Sequence, residues 1–443
     1  MDPEMQTAIR SFQRSVYDKS FTTISEQQAR TAAHKPAPPD AWVAEATFTV
    51  PSHGSSIADV VYAAIEALGE GNEELGPPAS LCDIKGEWIA PRRKADATLA
   101  DASPEDVVKK IAAHSPDKPT IFYIHGGAFY MGSPASVRPA PIALAQFASG
   151  RCFSLQYRLA PQNQFPAAIL DVFLAYLSLL YPPPGAAHDA VPAANIVLSG
   201  ESSGGNLALA LMQVIGYLHR VQGGKCPVIR HDGRDVEVPY PAGCAVLGLL
   251  GDNTHCLPSY TANAKLDVLA DPQPLLRESF PPCPAWPTNP PRGDIYCHTS
   301  AMRHPLVSPV AAKTWEGSPP MWFACGQEQM VDDSSFIAQE AARQGVSVQW
   351  TEYAGMPHLF AFRFPMFPQS MHVFKSWADF IRVCVARQKT ENRAIKVRLD
   401  LDEEELQVDQ ILSVTRDEME LRMRQKQSQR KIYTGKMSVQ SNI

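Results

Sequence analysis

Gly200-Glu201-Ser202-Ser203-Gly204 is a G-x-S-x-G pentapeptide, set between the apolar run Ile196 to Ser199 and an apolar helical pattern from Asn206 to Leu218. A serine on a sharp turn between a strand and a helix has its Oγ lifted clear of the strand ends, where it can act as a nucleophile. Gly200 and Gly204 fit that turn because a side chain at either place would collide with the neighbouring strand or helix. An inert glycine-rich turn is the rival reading, and the strand before it and the helix after it count against that.

A nucleophilic serine needs a base for its proton and donors for the charge that develops on the attacked carbonyl oxygen. His125-Gly126-Gly127-Ala128 follows the apolar IFYI, and its glycines leave backbone N–H groups bare. The expected oxyanion donors are the N–H groups of Gly126, Gly127 and Ser203, each worth roughly 3 kcal/mol. His125 itself reads as an organiser of that loop. Downstream, the strand pattern MWFACG ends in Gly326-Gln327-Glu328, and SVQWTEY ends in Gly355-Met356-Pro357-His358. Loops after strands are where sheet active sites gather. His358 is therefore the expected base, and Glu328 the carboxylate that orients it. His219, His231, His255, His298 and His304 lack such a strand. Asp332 is the alternative acid, although Asp332 and Asp333 also suit the first turn of a helix near Ser334.

These residues need a scaffold, and the pattern supplies one. From Lys118 onward, strand, turn and helix alternate: PTIFYI, Arg151 to Tyr157, a helix from Pro166 to Leu180, the strand before Ser202, and later MWFACG, a helix from Ser334 to Arg343, SVQWTEY and a helix from Ser370 to Arg387. This is the signature of a mostly parallel sheet covered by helices on both faces. Residues 1–90 read as a preface that contributes to a cap and the first strands, with Ile9, Phe12 and Val16 at helical spacing and a strand at Glu45 to Val50. Residues 91–252 and 306–387 read as the two parts of the catalytic core. Residues 253–305, rich in proline, are too long for a plain loop and read as a cap or lid. Residues 388–443 are more charged than the chain as a whole and read as a tail: a solvated helix, disorder or a contact surface.

Composition sets outer limits. The apolar share of 45% with 19% charged residues gives a globular chain with a sizeable core. Forty basic against 46 acidic residues leave a net charge of −6, with no cationic excess for nucleic acid. The nine cysteines contain no C-x-x-C pair, and the grouping of His255-Cys256, Cys283 and Cys297-His298 fits no standard ligand spacing, so no metal or cofactor is expected. Neither a signal segment nor an apolar run of roughly 20 residues is present. A cytoplasmic setting without stable membrane insertion is expected, and self-association stays open. Proline is over-used, with 39 against 26 glycines.

Five segments, in the right order, resemble the hormone-sensitive-lipase-like branch of the α/β hydrolases. They are His125-Gly126-Gly127, the run YRLAPQNQFPAAILD from Tyr157 to Asp171, GESSGGN from Gly200 to Asn206, HPLVSPV from His304 to Val310, and PHLF around His358. The resemblance implies an α/β-hydrolase fold with a helical cap, a Ser/acid/His esterase in that chain order, and a small-molecule ester as substrate. Three departures stand out: Ala128 where a third glycine is common, Glu201 where aspartate is usual, and Glu328 where aspartate is usual. An acyltransferase, lactone hydrolase or cyclisation enzyme would use the same triad. A small-molecule receptor on this fold would lack the base.

Overall fold

The structure is a computed structural model that describes residues 3–19, 22–92, 103–113, 118–269, 274–276 and 280–435. Parts of the proline-rich stretch, at 270–273 and 277–279, and the chain beyond 435 lie outside the described residues.

The strands are β1 (Ala41–Phe48), β2 (Ile84–Pro91), β3 (Thr120–Ile124), β4 (Arg151–Gln156), β5 (Ile196–Glu201), β6 (Val228–His231), β7 (Arg234–Glu237), β8 (Gly243–Leu247), β9 (Met321–Gly326), β10 (Val348–Tyr353), β11 (Arg393–Val397) and β12 (Glu403–Leu406). Ten of them form one sheet in the order β1-β2-β4-β3-β5-β8-β9-β10-β11-β12. From β4 across to β11 every neighbouring pair is parallel, while β1, β2 and β12 pair antiparallel at the edges. All six residues of β5 and all five of β3 are buried, as expected for parallel strands covered on both faces.

One face of the sheet is covered by the helices Ile57–Leu68, Ala167–Leu180, Ser203–Val221 and Val331–Arg343. The other carries Pro139–Phe147 and Pro368–Val385, where Trp377 stacks on Trp322 at 5.3 Å. Every residue of Ala167–Leu180 is buried, so this helix has no solvent stripe to limit its apolar content. No helix among the described residues is long and apolar enough to cross a membrane.

Three segments differ from the sequence expectation. The first strand lies at Ala41–Phe48 rather than Glu45 to Val50 and pairs along its whole length with β2. In the stretch after residue 219, β6 and β7 form a separate hairpin closed by Asp232-Gly233, both with positive φ, the turn chemistry that suits two-residue hairpins. Among the described residues, the charged stretch after Arg387 holds two strands and a helix that buries two of its residues. Ala394, Ile395 and Val397 are buried in β11, which pairs with β10, and Arg393 pairs across the edge with Glu403 and Glu405. The helix Arg416–Ser428, capped by Thr415, then buries Met419 and Met423 fully against the rest of the chain.

Two helices come from the N-terminal region, Pro3–Lys19 and Ile24–Ala32. In Ile24–Ala32, Gln28 Nε2 donates to the carbonyls of Tyr130 and Ala160, and Thr31 Oγ1 accepts the Gly132 N–H. The described part of 253–305 holds only one-turn helices, Ser259–Ala262, Pro274–Leu276 and Thr299–Arg303, in keeping with prolines that supply no N–H.

Candidate active site

Ser202 sits where β5 ends and the helix Ser203–Val221 begins, with φ +53 and ψ −123. That conformation costs an ordinary residue about 1–3 kcal/mol and is held by its surroundings. The Ser202 N–H donates to the Leu247 carbonyl at 3.0 Å, and the Leu250 N–H donates back to the Ser202 carbonyl at 3.3 Å. The flanking glycines are sterically required: a Cβ on Gly200 would lie 2.7 Å from the Ile124 carbonyl oxygen, and one on Gly204 would lie 2.0 Å from it. The end of β3 therefore presses directly on the turn.

His358 arrives on the loop after β10 and Glu328 on the loop after β9. Ser202 Oγ is 3.3 Å from His358 Nε2, and His358 Nδ1 is 3.2 Å from Glu328 Oε1. Serine, histidine and glutamate are 7%, 3% and 0% exposed, so the relay is shielded from bulk water. A proton on Nδ1 facing the carboxylate leaves the Nε2 lone pair to accept the serine O–H. Burial pushes the Glu328 carboxyl above its ordinary range, the imidazole's charge and hydrogen bond pull it back, and Asp267 adds to the upward push. Two glycines make room for this pair and for the loop that carries His358. Gly248, at the end of β8 with φ +57, would place a Cβ 3.1 Å from the imidazole and 3.2 Å from Glu328 Oε1, and a Cβ on Gly326 would lie 2.1 Å from the Met356 carbonyl oxygen.

The rival acids go elsewhere. Asp332 accepts the Ser259 N–H at 2.8 Å, and Asp333 accepts the N–H groups of Gly251 and Asp252 and the Tyr260 hydroxyl. Neither carboxylate is bonded to His358.

His125 is buried and stacks on Tyr157 at 4.4 Å. Its Nδ1 donates to the Gly126 carbonyl at 2.7 Å, and burial lowers its pKa to about 4, so it stays neutral and braces the loop. The oxyanion assignment needs a correction. The Gly126 N–H is already committed to Glu201 Oε1 at 2.8 Å, because the longer glutamate side chain reaches back to it. Among the described residues, the N–H groups of Gly127, Ala128 and Ser203 have no acceptor, and they are the donors left for an oxyanion. Ser203 also pins the loop, since its Oγ accepts the Phe129 N–H at 3.1 Å.

The cysteine and histidine grouping of the proline-rich stretch does not converge: His255 stacks on Tyr260, Cys297 faces Asp294 and His298 pairs with Glu74. No set of described residues is arranged to hold a metal ion. The arrangement of Ser202, His358 and Glu328 can carry out acyl transfer through a serine.

A family model described as the alpha/beta hydrolase fold matches residues 121–232 and 288–362. An acetyl-hydrolase of Streptomyces hygroscopicus is 26% identical over 318 residues, covering 72% of this chain and 86% of its own. A versiconal hemiacetal acetate esterase of Emericella nidulans is 28% identical over 261 residues, covering 56% of this chain and 76% of its own. Among solved structures, a hormone-sensitive lipase from a metagenome library is 26% identical with a TM-score of 0.51, covering 74% of this chain and 91% of the other. An esterase from the bacterial hormone-sensitive lipase family, 20% identical with a TM-score of 0.57 over 87% of this chain and 99% of the other, shares the fold.

Proposed function

Because the chain belongs to the hormone-sensitive-lipase-like α/β hydrolases, we propose that it cleaves carboxylic esters through an acyl-enzyme on Ser202. The observation that carries the reading is the continuous relay from Ser202 Oγ through His358 to Glu328, at 3.3 and 3.2 Å, on a serine held at φ +53.

As Ser202 Oγ attacks the ester carbonyl carbon, His358 Nε2 takes the hydroxyl proton. The carbonyl electron pair moves onto its oxygen, which the N–H groups of Gly127, Ala128 and Ser203 receive. Collapse of the tetrahedral intermediate breaks the bond to the alcohol oxygen, which leaves with the proton from His358. Water then attacks the acyl group by the same route, giving the carboxylic acid and restoring the serine. Glu328 orients the imidazole and offsets its transient positive charge.

A small ester with a short acyl group, acetate included, is the proposed substrate class, supported by the acetyl-hydrolase and acetate esterase among the relatives. Those relatives are hydrolases by name, so acyl transfer, cyclisation and a receptor role gain nothing from them. A cytoplasmic setting belongs to the same reading and rests on nine unpaired cysteines.

A nitrophenyl ester panel from acetate to decanoate, run on the wild type and on Ser202→Ala, tests the proposal. Turnover should be greatest at the short end and fall on the order of 10⁶-fold in the variant, with loss of fluorophosphonate labelling. Unchanged turnover in Ser202→Ala would remove the acyl-enzyme from consideration.

A further inference from the structure

The segment Ser259 to Val268 lies in the gap between the two stretches that the family model matches. It nevertheless holds both loops of the relay. Ser259 Oγ donates to the Gln329 carbonyl at 2.6 Å, and Asn263 Nδ2 donates to the Glu328 carbonyl at 2.9 Å. Asp267 does more. Its Oδ2 accepts the N–H of Gln329, the residue after the acid, at 2.8 Å, and its Oδ1 accepts the N–H of His358 itself at 3.0 Å. The carboxylate is 2% exposed, and Oδ1 also accepts the Val268 N–H at 2.6 Å. From the opposite side, Gln13 Nε2 of the N-terminal helix donates to the Asp267 carbonyl at 2.9 Å.

We propose that Asp267 is the positioning residue of the relay: its two oxygens tie the loop after β9 to the loop after β10 and so set the separation of Glu328 from His358. The inference rests on the hydrolase reading above and adds a residue that touches neither substrate nor the reacting atoms. A carboxyl group suits the task because its two oxygens face backbone donors on two different loops. An asparagine offers one acceptor and turns its NH₂ toward an N–H on the other side, so one loop is released. Reaction rates depend steeply on such placement, a 1 Å error costing about 100-fold. Arg363, whose charge is felt by both Asp267 and Glu328, closes the group from the helical turn Phe360–Arg363.

The full-length chain is compared as wild type, Asp267→Asn and Asp267→Glu, by steady-state kinetics on a short nitrophenyl ester and by the low-field proton resonance of the imidazole Nδ1–H facing Glu328. The expected result for Asp267→Asn is kcat lower by about 100-fold with KM within about 3-fold, in a protein that still melts cooperatively, together with loss of the low-field resonance. Asp267→Glu should recover part of kcat, since it keeps both oxygens on a longer arm. Wild-type kcat in folded Asp267→Asn, or an unshifted low-field proton in it, overturns the inference. Should Asp267→Asn not fold, Asp267→Glu decides: an unaltered rate and resonance count against the role, and a partial loss of both supports it. A wild type that turns over no ester strikes the hydrolase reading instead, and the resonance still reads whether Asp267 holds the pair together.

Discussion

Glu201 Oε1 accepts the Gly126 N–H at 2.8 Å, so the residue before the nucleophile fixes the first glycine of the loop that faces it. The same glutamate is 2% exposed, and its Oε2 has no hydrogen-bond partner. Burial raises its carboxyl from the ordinary 4.5 to about 7, against the downward pull of the Gly126 N–H. The folded chain therefore holds this proton more tightly than the unfolded chain does between pH 4.5 and 7. Its contribution falls as pH rises through that window, and the penalty, roughly 3 kcal/mol, is complete above pH 7.

Glu201→Gln removes the titration while keeping an oxygen for Gly126. The melting temperature of the variant relative to wild type should therefore climb between pH 4.5 and 7 and level off above. Thermal unfolding at half-unit pH steps measures this, and a flat difference would show that Glu201 does not titrate in that range.

Glu328 and Asp332 separate on the same logic of contact. Glu328→Gln keeps the shape but loses the charge that stabilises the imidazolium, and a comparable change elsewhere lowers kcat about 10⁴-fold. Glu328→Asp should lose about 100-fold, because the carboxylate withdraws from a contact that is already 3.2 Å. Asp332→Asn should leave kcat near wild type and cost stability, since its bond is to Ser259. Steady-state rates on one ester, with melts for each variant, rank the three. An Asp332→Asn rate as low as that of Glu328→Gln would transfer the acid role.

The strand, sharp turn and helix around Ser202 were legible because glycines and an apolar run leave few other ways to fold. His358 and Glu328 were legible as loop residues following apolar strands. The donor assigned to Gly126 was not, since which N–H stays open depends on how far the Glu201 side chain reaches, a fact of packing rather than of spacing. Asp267 was hidden for a related reason: it works through backbone groups of other loops, and its own segment carries no periodicity. The strands β11 and β12 after Arg387 were not legible, since edge strands and their partners carry charge for reasons of their own. Asp232-Gly233 was a readable hairpin signal that the proline-rich surroundings masked.

The C-terminal segment should behave as a strap on the proline-rich region. Arg430 pairs with Asp294 at 2.9 Å, the two side chains being 11% and 7% exposed, and Asp294 in turn accepts the Tyr296 N–H. Tyr296 stacks flat on Phe129 of the glycine loop at 3.8 Å, and Tyr433 packs against Trp286. Removing one partner of such a buried pair costs about 3–5 kcal/mol. Arg430→Met is expected to lower unfolding free energy by that order in denaturant titrations. A loss under about 1 kcal/mol, typical of an exposed pair, would mean the strap does not bear on the fold.

Gly248 offers a test in which strain and contact are separable. Its φ of +57 penalises any side chain, and a Cβ there would lie 3.1 Å from the His358 ring and 3.2 Å from Glu328 Oε1. Gly317 has a comparable φ of +75 with nothing within 4 Å of its Cβ position. Alanine at either place should therefore cost a similar 1–2 kcal/mol of stability through the backbone alone. Only Gly248→Ala also pushes the imidazole by a few tenths of an ångström, lengthening its bond to the serine or to the carboxylate. The expected outcome is similar melting temperatures, with kcat reduced about tenfold in Gly248→Ala and unchanged in Gly317→Ala, at KM values close to wild type. Equal rates in the two variants would show that the relay tolerates that displacement, and that the space beside His358 is not what fixes its geometry.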